Sequence, residues 1–190
     1  MKLRLAALSD AKAIAALHAA SWQLTYGGAL RADYLERNVL ADREAVWAER
    51  LASPKHNQCV LIAEDESGVI GFTCAFGAEH AEWGSYLDNL HVRQSHQGHG
   101  IGKALLVNMA QWCNRYAPNC GVYLSVNQSN HRAQQFYLGL GARNAGSWLW
   151  DAPDGSAVPA YWFLWDSVET LTSAQLNYSL DWAPPLERTV

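Results

Sequence analysis

The sequence has few charged residues and no long apolar run. Charged types make up 17% of its 190 residues, and 14 basic against 18 acidic side chains leave a net charge of −4. A general nucleic-acid-binding protein needs a basic face, so this composition argues against nucleic acid as a partner. No apolar stretch approaches the ~18–20 residues that span a bilayer. The apolar residues near the N-terminus are interrupted by Ser9, Asp10 and Lys12. We therefore expect no membrane partner and no signal peptide, with cytoplasmic residence as the default.

Cysteine is scarce, and its spacing fits no metal or redox motif. The four cysteines are Cys59, Cys74, Cys113 and Cys120, and no two of them form a CxxC pair. They are expected to be reduced and mostly buried thiols. Three histidines, His91, His96 and His99, lie close together in the chain but match no familiar ligand spacing. We therefore expect no metal.

The length of 190 residues predicts one domain with a full hydrophobic core. Tryptophan is abundant, with nine residues, and side chains of this size usually enter a core, an interface or a ligand pocket. The last segment, residues 166–190, is mostly polar and carries Pro184-Pro185 near its end. We interpret it as a C-terminal appendage to a domain of residues 1–165. Apolar residues within it, such as Leu176 and Trp182, indicate a role in a homodimer.

The periodicity of apolar residues predicts the element order β-α-α-β-β-β-α-β-α-β-β. Between residues 59 and 92, three apolar runs are separated by acidic and glycine turns, which is typical of an antiparallel meander. Asp42 is expected to cap the second helix. Two aromatic runs, residues 148–150 and 161–165, predict a final hairpin. One buried helix face is formed by Leu105, Met109, Trp112 and Tyr116. The expected fold is α/β, with a mixed, mostly antiparallel central sheet flanked by helices.

A glycine-rich segment, Gln97-Gly98-His99-Gly100-Ile101-Gly102, joins the third meander strand to this helix. Glycines let a backbone approach a ligand closely, and the free N–H groups at a helix start suit phosphates. The dinucleotide motif G-x-G-x-x-G would need glycine at Lys103. The nucleotide P-loop fails because Gln97 replaces its first glycine and Ala104 replaces its hydroxyl. A different phosphate ligand is expected, and a plain strand-to-helix turn is the alternative.

Val92, Gln97-x-x-Gly100-x-Gly102 and the following apolar helix resemble the acyl-CoA-binding motif of the GNAT family of N-acetyltransferases. The pattern in that family is Arg/Gln-x-x-Gly-x-Gly/Ala after a strand. The second motif of the family, a strand followed by a helix that carries a tyrosine, is matched by Leu124-x-Val126, Asn127, Asn130-x-x-Ala133-x-x-x-Tyr137 and Gly141-Ala142. The two motifs occur in the order of the family, and the resemblance covers about residues 1–165.

The resemblance implies that acetyl-CoA is the cosubstrate. Its pyrophosphate would lie on the backbone N–H groups of the glycine segment, and its pantetheine arm would pair along Leu90–Val92 like an added strand. A backbone N–H there could hold the developing oxyanion. Asn130 would bond to the arm in addition to capping its helix. The implied cofactor-binding residues are Leu90, His91, Val92, Gln97, Gly98, His99, Gly100, Ile101, Gly102, Lys103 and Asn130.

The resemblance also implies direct attack of an amine on the thioester in a ternary complex. An alkyl ammonium, with a pKa of ~10.4, must first lose a proton, and the leaving thiolate benefits from a nearby acid. Tyr137 occupies the position of that acid in the family, and a packed core tyrosine is the alternative. Asp88 is the expected base. Glu79 and Glu82, acting through water, remain open as alternatives.

The acceptor itself is left open by the sequence. Trp22, Tyr26, Trp148 and Trp150 fall on elements that wall the acceptor pocket in the family, and the first three are expected to bind substrate. Aromatic side chains combined with Asp and Glu favour a cationic amine. The acceptor is expected to be a small molecule or a peptide. The alternative function is a CoA-binding sensor or partner-binding module without catalysis.

Overall fold

The computed structural model describes residues 1–172, and the predicted α/β class and element order are confirmed. The strands are β1 (Lys2–Leu5), β2 (Gln58–Asp65), β3 (Gly68–His80), β4 (Gly84–Val92), β5 (Val122–Asn127), β6 (Arg143–Asp151) and β7 (Ala157–Trp165). The helices are α1 (Ala11–Thr25), α2 (Val39–Ala52), α3 (Ile101–Tyr116), α4 (His131–Gly139) and the short α5 (Glu169–Thr172). Among these helices, none combines the length and apolar character that a membrane crossing requires.

All seven strands form one sheet in the order β1-β2-β3-β4-β5-β7-β6. Every neighbouring pair is antiparallel except β4 and β5, which run parallel, so the predicted meander and hairpin are present. The β4–β5 pairing covers only three positions, from Ser85↔Val122 to Leu87↔Leu124. Beyond Leu87, β4 keeps β3 on one edge and loses β5 on the other. The sheet therefore opens between its two central strands.

A β-bulge marks the position where this opening begins. Cys74 of β3 faces Asn89 of β4, whereas the next residue, Ala75, faces Leu87. Asp88 is thus the extra residue on β4. Bulges bend a strand and redirect side chains, and they are common next to active sites. The bulge at Asp88 accounts for the divergence of β4 from β5.

The sheet separates two apolar cores. On one face, α3 packs Leu105 and Met109 against strand residues such as Leu124. On the other face, α1 and α2 pack Ile14 and Trp47 against Phe72. These six side chains are each at most 2% exposed. Full burial of a side chain of this size contributes about 1.5–3 kcal/mol, so both layers hold the central strands firmly in place.

The segment after β7 contributes to the first core. Val168 and Leu171 are 2% and 1% exposed and pack with the cluster under α3. The domain boundary at residue 165 and the appendage of residues 166–190 stay predictions. Because Val168 and Leu171 are buried, a truncated chain that tests these predictions should end after Leu171. Residues 173–190, with the apolar residues thought to support a homodimer, lie outside the described part of the chain.

Candidate active site

A cleft of about 430 Å³ fills the opening between β4 and β5. Its walls come from these two strands, from the starts of α3 and α4, and from the end of α1. The cleft is lined by these residues predicted from the sequence: Tyr26, Asp88, Leu90, His91, Val92, Gln97, Gly98, Gly100, Ile101, Gly102, Lys103, Asn130 and Tyr137. Trp22 and Trp148 do not line the cleft, and His99 lies within the glycine segment but is not part of the lining. Two motifs that are about 30 residues apart in sequence thus meet at one opening.

The glycine segment has a backbone that few other residues could adopt. Gly98 and Gly100 have φ angles of +83° and +80°, in the left-handed region, and Gly100 is the N-cap of α3. The backbone N–H groups of residues 98–103 find no acceptor within residues 1–172. The side chain of Gln97 donates from Nε2 to the carbonyl oxygen of Val92 at 3.0 Å, which ties the segment to the end of β4. The segment presents free donors and the positive end of the α3 dipole to the cleft.

Asn130 lines the cleft from the start of α4. Its Oδ1 accepts a hydrogen bond from the backbone N–H of Ala133 at 3.1 Å, so the predicted cap is present. Its Nδ2 group has no partner in the described range. One side chain can therefore cap the helix and still donate to a ligand.

Tyr137 lines the cleft from α4 and is 8% exposed. Its ring packs against Phe136 and Trp165, with centroids 5.2 and 6.0 Å apart. Its hydroxyl has no hydrogen-bond partner among residues 1–172. Burial raises the pKa of Tyr137 well above the ordinary value of a tyrosine, and Tyr26 adds to this. Burial and, next, Asp88 raise the pKa of Tyr26 to about 12. Both phenols remain protonated at neutral pH and can donate.

Asp88 reaches the cleft from the bulge. Its Oδ2 accepts a hydrogen bond from Nη1 of Arg50 at 2.5 Å, and the same nitrogen reaches Oδ1 of Asn89 at 3.2 Å. The remaining oxygen of Asp88, Oδ1, has no partner among the described residues. Glu79 instead accepts a hydrogen bond from Asn57 at 2.9 Å, and the exposed Glu82 lies in the β3–β4 turn. Of the three candidate carboxylates, only Asp88 lines the cleft.

The sequence analysis missed several residues that line the cleft. Ser21 and Thr25 come from the last turns of α1, and Ser125 comes from β5. No local signal could have found these three, because only the packing of α1 on the sheet brings them to the opening. Arg132 was detectable, since it follows the capping Asn130 inside the second motif. It adds a second basic side chain, besides Lys103, to the cleft wall.

The partly buried His91 lines the cleft, and the buried His18 lies next to it. His91 Nδ1 is 2.8 Å from Ser21 Oγ, and the rings of His91 and His18 are 4.6 Å apart. Trp47 donates from Nε1 to Nδ1 of His18 at 3.0 Å, so neutral His18 carries its proton on Nε2. Burial, then the nearby Arg43 charge, lowers the pKa of His91 to about 4. Burial, followed by His91, Arg43 and Arg50, lowers the pKa of His18 well below its ordinary value. Both rings are neutral at pH 7.

This burial predicts that stability is lost in mild acid. Because the folded-state pKa of His91 is about 4 and that of an unfolded histidine is ~6.5, the unfolded state binds more protons between these pH values. The free energy of unfolding should fall as pH drops from 7 to 5, by about 1–2 kcal/mol for His91, with His18 adding in the same direction. Chemical denaturation at a series of pH values measures this slope.

The His91→Gln variant keeps a group that can bond to Ser21 and removes the titration. It should show a shallower dependence of unfolding free energy on pH than the parent. The matched control is His56→Gln on an exposed turn, which should keep the parental slope. Equal slopes for the parent and His91→Gln would show that His91 does not contribute to the acid sensitivity.

The chain is similar to a known protein family over the region that forms the cleft. The model of the acetyltransferase (GNAT) family matches residues 17–142. The chain is 31% identical over 113 residues to the uncharacterized N-acetyltransferase YuaI of Bacillus subtilis. That alignment covers 58% of this chain and 62% of YuaI, so the chain spans less than two thirds of that relative. The matched region contains both sequence motifs that line the cleft.

Solved structures share the fold. The PaiA N-acetyltransferase of Thermoplasma acidophilum, solved with coenzyme A, superposes with a TM-score of 0.64 at 18% identity and covers 84% of this chain and 98% of its own. YncA of Salmonella typhimurium, solved with acetyl-CoA, gives a TM-score of 0.62 at 18% identity, with 87% and 92% covered. At this identity the likeness is one of fold, and it confirms the expected architecture.

Proposed function

The chain belongs to the GNAT family of acetyltransferases, and on this premise we propose that it moves an acetyl group from acetyl-CoA to an amine by direct attack in a ternary complex. One observation carries the proposal. A single cleft holds the unpartnered N–H groups of residues 98–103, the free hydroxyl of Tyr137 and the free carboxylate oxygen of Asp88. The first feature suits a phosphate, and the other two suit a donor and an acceptor of protons.

The cleft offers a separate contact to each part of acetyl-CoA. The pyrophosphate would accept from the N–H groups of the glycine segment, with Lys103 and Arg132 supplying positive charge. The pantetheine arm would lie along β4 beyond Leu87, where the strand has no neighbour on its β5 side. There the backbone of β4 can pair with the amides of the arm, and Asn130 can donate from Nδ2.

The reaction then needs three proton movements, because the nitrogen loses two protons and the sulfur gains one. The acceptor ammonium would give a proton to Oδ1 of Asp88, and the freed amine would attack the thioester carbonyl. A backbone N–H of β4 would stabilise the oxyanion as the new C–N bond forms. As the C–S bond breaks, the hydroxyl of Tyr137 would donate to the departing sulfur, and the second proton that the nitrogen loses would pass through solvent to restore the Tyr137 phenol. Arg50 acts as a positioning residue, since its ion pair holds the carboxylate of Asp88 at the bulge.

We expect acetyl-CoA to raise the melting temperature of the protein and NAD and ATP to leave it unchanged. The glycine segment fits the first ligand and departs from the motifs for the other two. A ligand that binds only the native state at 100 times its Kd adds about 2.7 kcal/mol, a shift that differential scanning fluorimetry detects readily. A clear shift with ATP and none with acetyl-CoA would contradict the proposal.

Activity is tested by following thiol release from acetyl-CoA against a panel of small and peptide amines. Acceptor-dependent release together with an acetylated product establishes the transfer. Binding of acetyl-CoA without release for any amine would instead support the CoA-binding module without catalysis. The Asp88→Asn variant serves as the matched control, because it keeps the shape of the side chain and removes its capacity to take a proton.

A further inference from the structure

Six aromatic side chains form a continuous patch on the sheet face opposite α3. This aromatic face consists of His80, Trp83, Tyr86, Tyr123, Trp148 and Trp162, with ring centroids 4.5 to 6.3 Å apart. The sequence neighbours of Tyr123 and Trp162 point into the α3 core, so alternation along β5 and β7 places these two rings on the other side. His80 is exposed, and all the others except Tyr123 are only partly buried. The rings are therefore within reach of a ligand.

The aromatic face joins the reacting part of the cleft. Trp148 donates from Nε1 to Oγ of Ser125 at 3.0 Å, and Ser125 lines the cleft. Tyr86 lies on β4 two residues before Asp88. The Arg50 guanidinium that binds Asp88 also lies 5.6 Å from the ring of Phe76, the β3 partner of Tyr86, so Tyr86 and Asp88 lie close together. A molecule on this face would have one end at Asp88.

The electrostatics of the face suit a cation. Four cation–π contacts occur in the described part of the chain, and they use the rings of Trp22, Trp47 and Phe76. None uses a ring of the aromatic face, so its six rings hold no cation from within residues 1–172. Glu79 directly precedes His80 of the face in the chain, and its carboxylate is, after burial, the second cause of the raised pKa of Tyr123.

Basic side chains near the face are already engaged. Arg50 is held by Asp88 at 2.5 Å, and Lys55 lies over Phe76 at 5.1 Å. Phe76 is the β3 partner of Tyr86, so Lys55 sits beside the face and not on it. What remains is a π surface bounded by two carboxylates, Asp88 at the cleft and Glu79 at the far end.

We propose that this aromatic face binds the acceptor, and that the acceptor carries a second, permanently cationic group besides the amine that is acetylated. The inference rests on the proposed function and names its substrate class. The amine would lie at Asp88, and the second cation would lie over the rings on the way to Glu79. Ser85 of β4 lies beside the β3 segment that carries Glu79, because its Oγ accepts a hydrogen bond from the backbone N–H of Ala78. Ser85 and Asp88 are three positions apart along β4, which sets a spacing of roughly 10 Å or less.

The test compares two amines of equal shape. One is an aminobutyl-trimethylammonium ion, and the other is its neutral isostere, in which a tert-butyl group replaces the trimethylammonium group. We expect kcat/KM for the cationic amine to be about tenfold higher, with the difference mainly in the KM of the acceptor. Equal kcat/KM for the two amines would overturn the proposal.

Two variants test whether the preference for the cationic amine arises at the aromatic face. Trp83→Leu removes a ring, and Glu79→Gln removes the charge while keeping an acceptor for Asn57. Each should reduce the preference for the cation to about threefold or less and leave the KM of acetyl-CoA unchanged. Glu66→Gln, at an exposed turn, is the matched control and should keep the full preference. A preference that survives in both face variants would place the second cation elsewhere and contradict the proposal.

A binding readout separates this inference from the proposed function. Titration of the tryptophan fluorescence with the aminobutyl-trimethylammonium ion, without acetyl-CoA, should show saturable quenching that Trp83→Leu weakens. Quenching without any acetyl transfer would retain the cation site and reject the acetyltransferase activity. Acetyl transfer to amines without quenching, and without a preference for the cationic amine, would retain the acetyltransferase activity and reject the cation site. If sedimentation shows a dimer that Trp83→Leu dissociates, a second copy of the chain covers the face, and the proposal also fails.

Discussion

The Tyr137→Phe enzyme should turn over about 10²–10⁴-fold more slowly than the parent, with acetyl-CoA binding changed by less than about twofold. The ring stays in its contacts with Phe136 and Trp165, so packing is preserved. The lost hydroxyl has no partner among the described residues, so its removal leaves no buried group unsatisfied. Only the donation to the departing sulfur disappears. Because the pKa of Tyr137 is raised by burial, this hydroxyl remains a donor throughout the working pH range.

Steady-state kinetics with the true acceptor measures this loss, and calorimetry with CoA measures the binding. The raised pKa also means that the parental rate should not decline below about pH 10 through ionisation of Tyr137. Ser125→Ala is a suitable control on the facing strand, because it also removes a hydroxyl from the cleft wall. Parental turnover in Tyr137→Phe would identify Tyr137 as a packing residue and leave the rest of the proposal intact.

Much of the fold could be predicted because it follows from patterns within short stretches of the sequence. The meander follows from short apolar runs between turn residues, and α3 follows from apolar residues on one helix face. The cap by Asn130 is likewise local, since its acceptor and donor are three residues apart. The expected cap by Asp42 is wrong. A wider helical turn, Tyr34–Asn38, precedes α2, and Asp42 lies inside the helix, where it accepts from Arg43 and from the hydroxyl of Tyr34.

Features that depend on pairing between distant strands could not be predicted. The bulge at Asp88 is a relation between β3 and β4, and nothing in the residues around Asp88 alone specifies it. The ion pair with Arg50 joins residues 38 positions apart. Likewise, Tyr26 was expected at the cleft and lines it, whereas Trp22 packs behind it in a core with Tyr34 and Val158. Which of two neighbouring aromatic residues faces a ligand depends on helix rotation, which the pattern leaves open.

The second large expected effect is a loss of acetyl-CoA binding when the backbone of the glycine segment is changed. The conformation of this backbone presents the N–H donors to the cleft. Gly100 has a φ of +80°, a region that a β-branched residue strongly disfavours. A Cβ placed there meets no atom within 4 Å, so the Gly100→Val chain should still fold. The valine would instead pull the backbone toward a negative φ and turn the adjacent N–H groups away from the cleft. Strain of about 1–3 kcal/mol and the lost phosphate contacts together should weaken acetyl-CoA binding at least about 100-fold.

Gly102→Ala provides the matched control within the same segment. A Cβ at Gly102 would meet Phe136 and Val92 at 3.6 and 3.7 Å, which is ordinary contact, and its φ is not positive. We expect this variant to bind acetyl-CoA within about threefold of the parent, while Gly100→Val shows no thermal shift with the same ligand. Circular dichroism and the melting temperature without ligand establish that both variants fold. If folded Gly100→Val binds acetyl-CoA as tightly as Gly102→Ala, the segment is only a strand-to-helix turn, and the phosphate must be held by side chains such as Lys103 and Arg132.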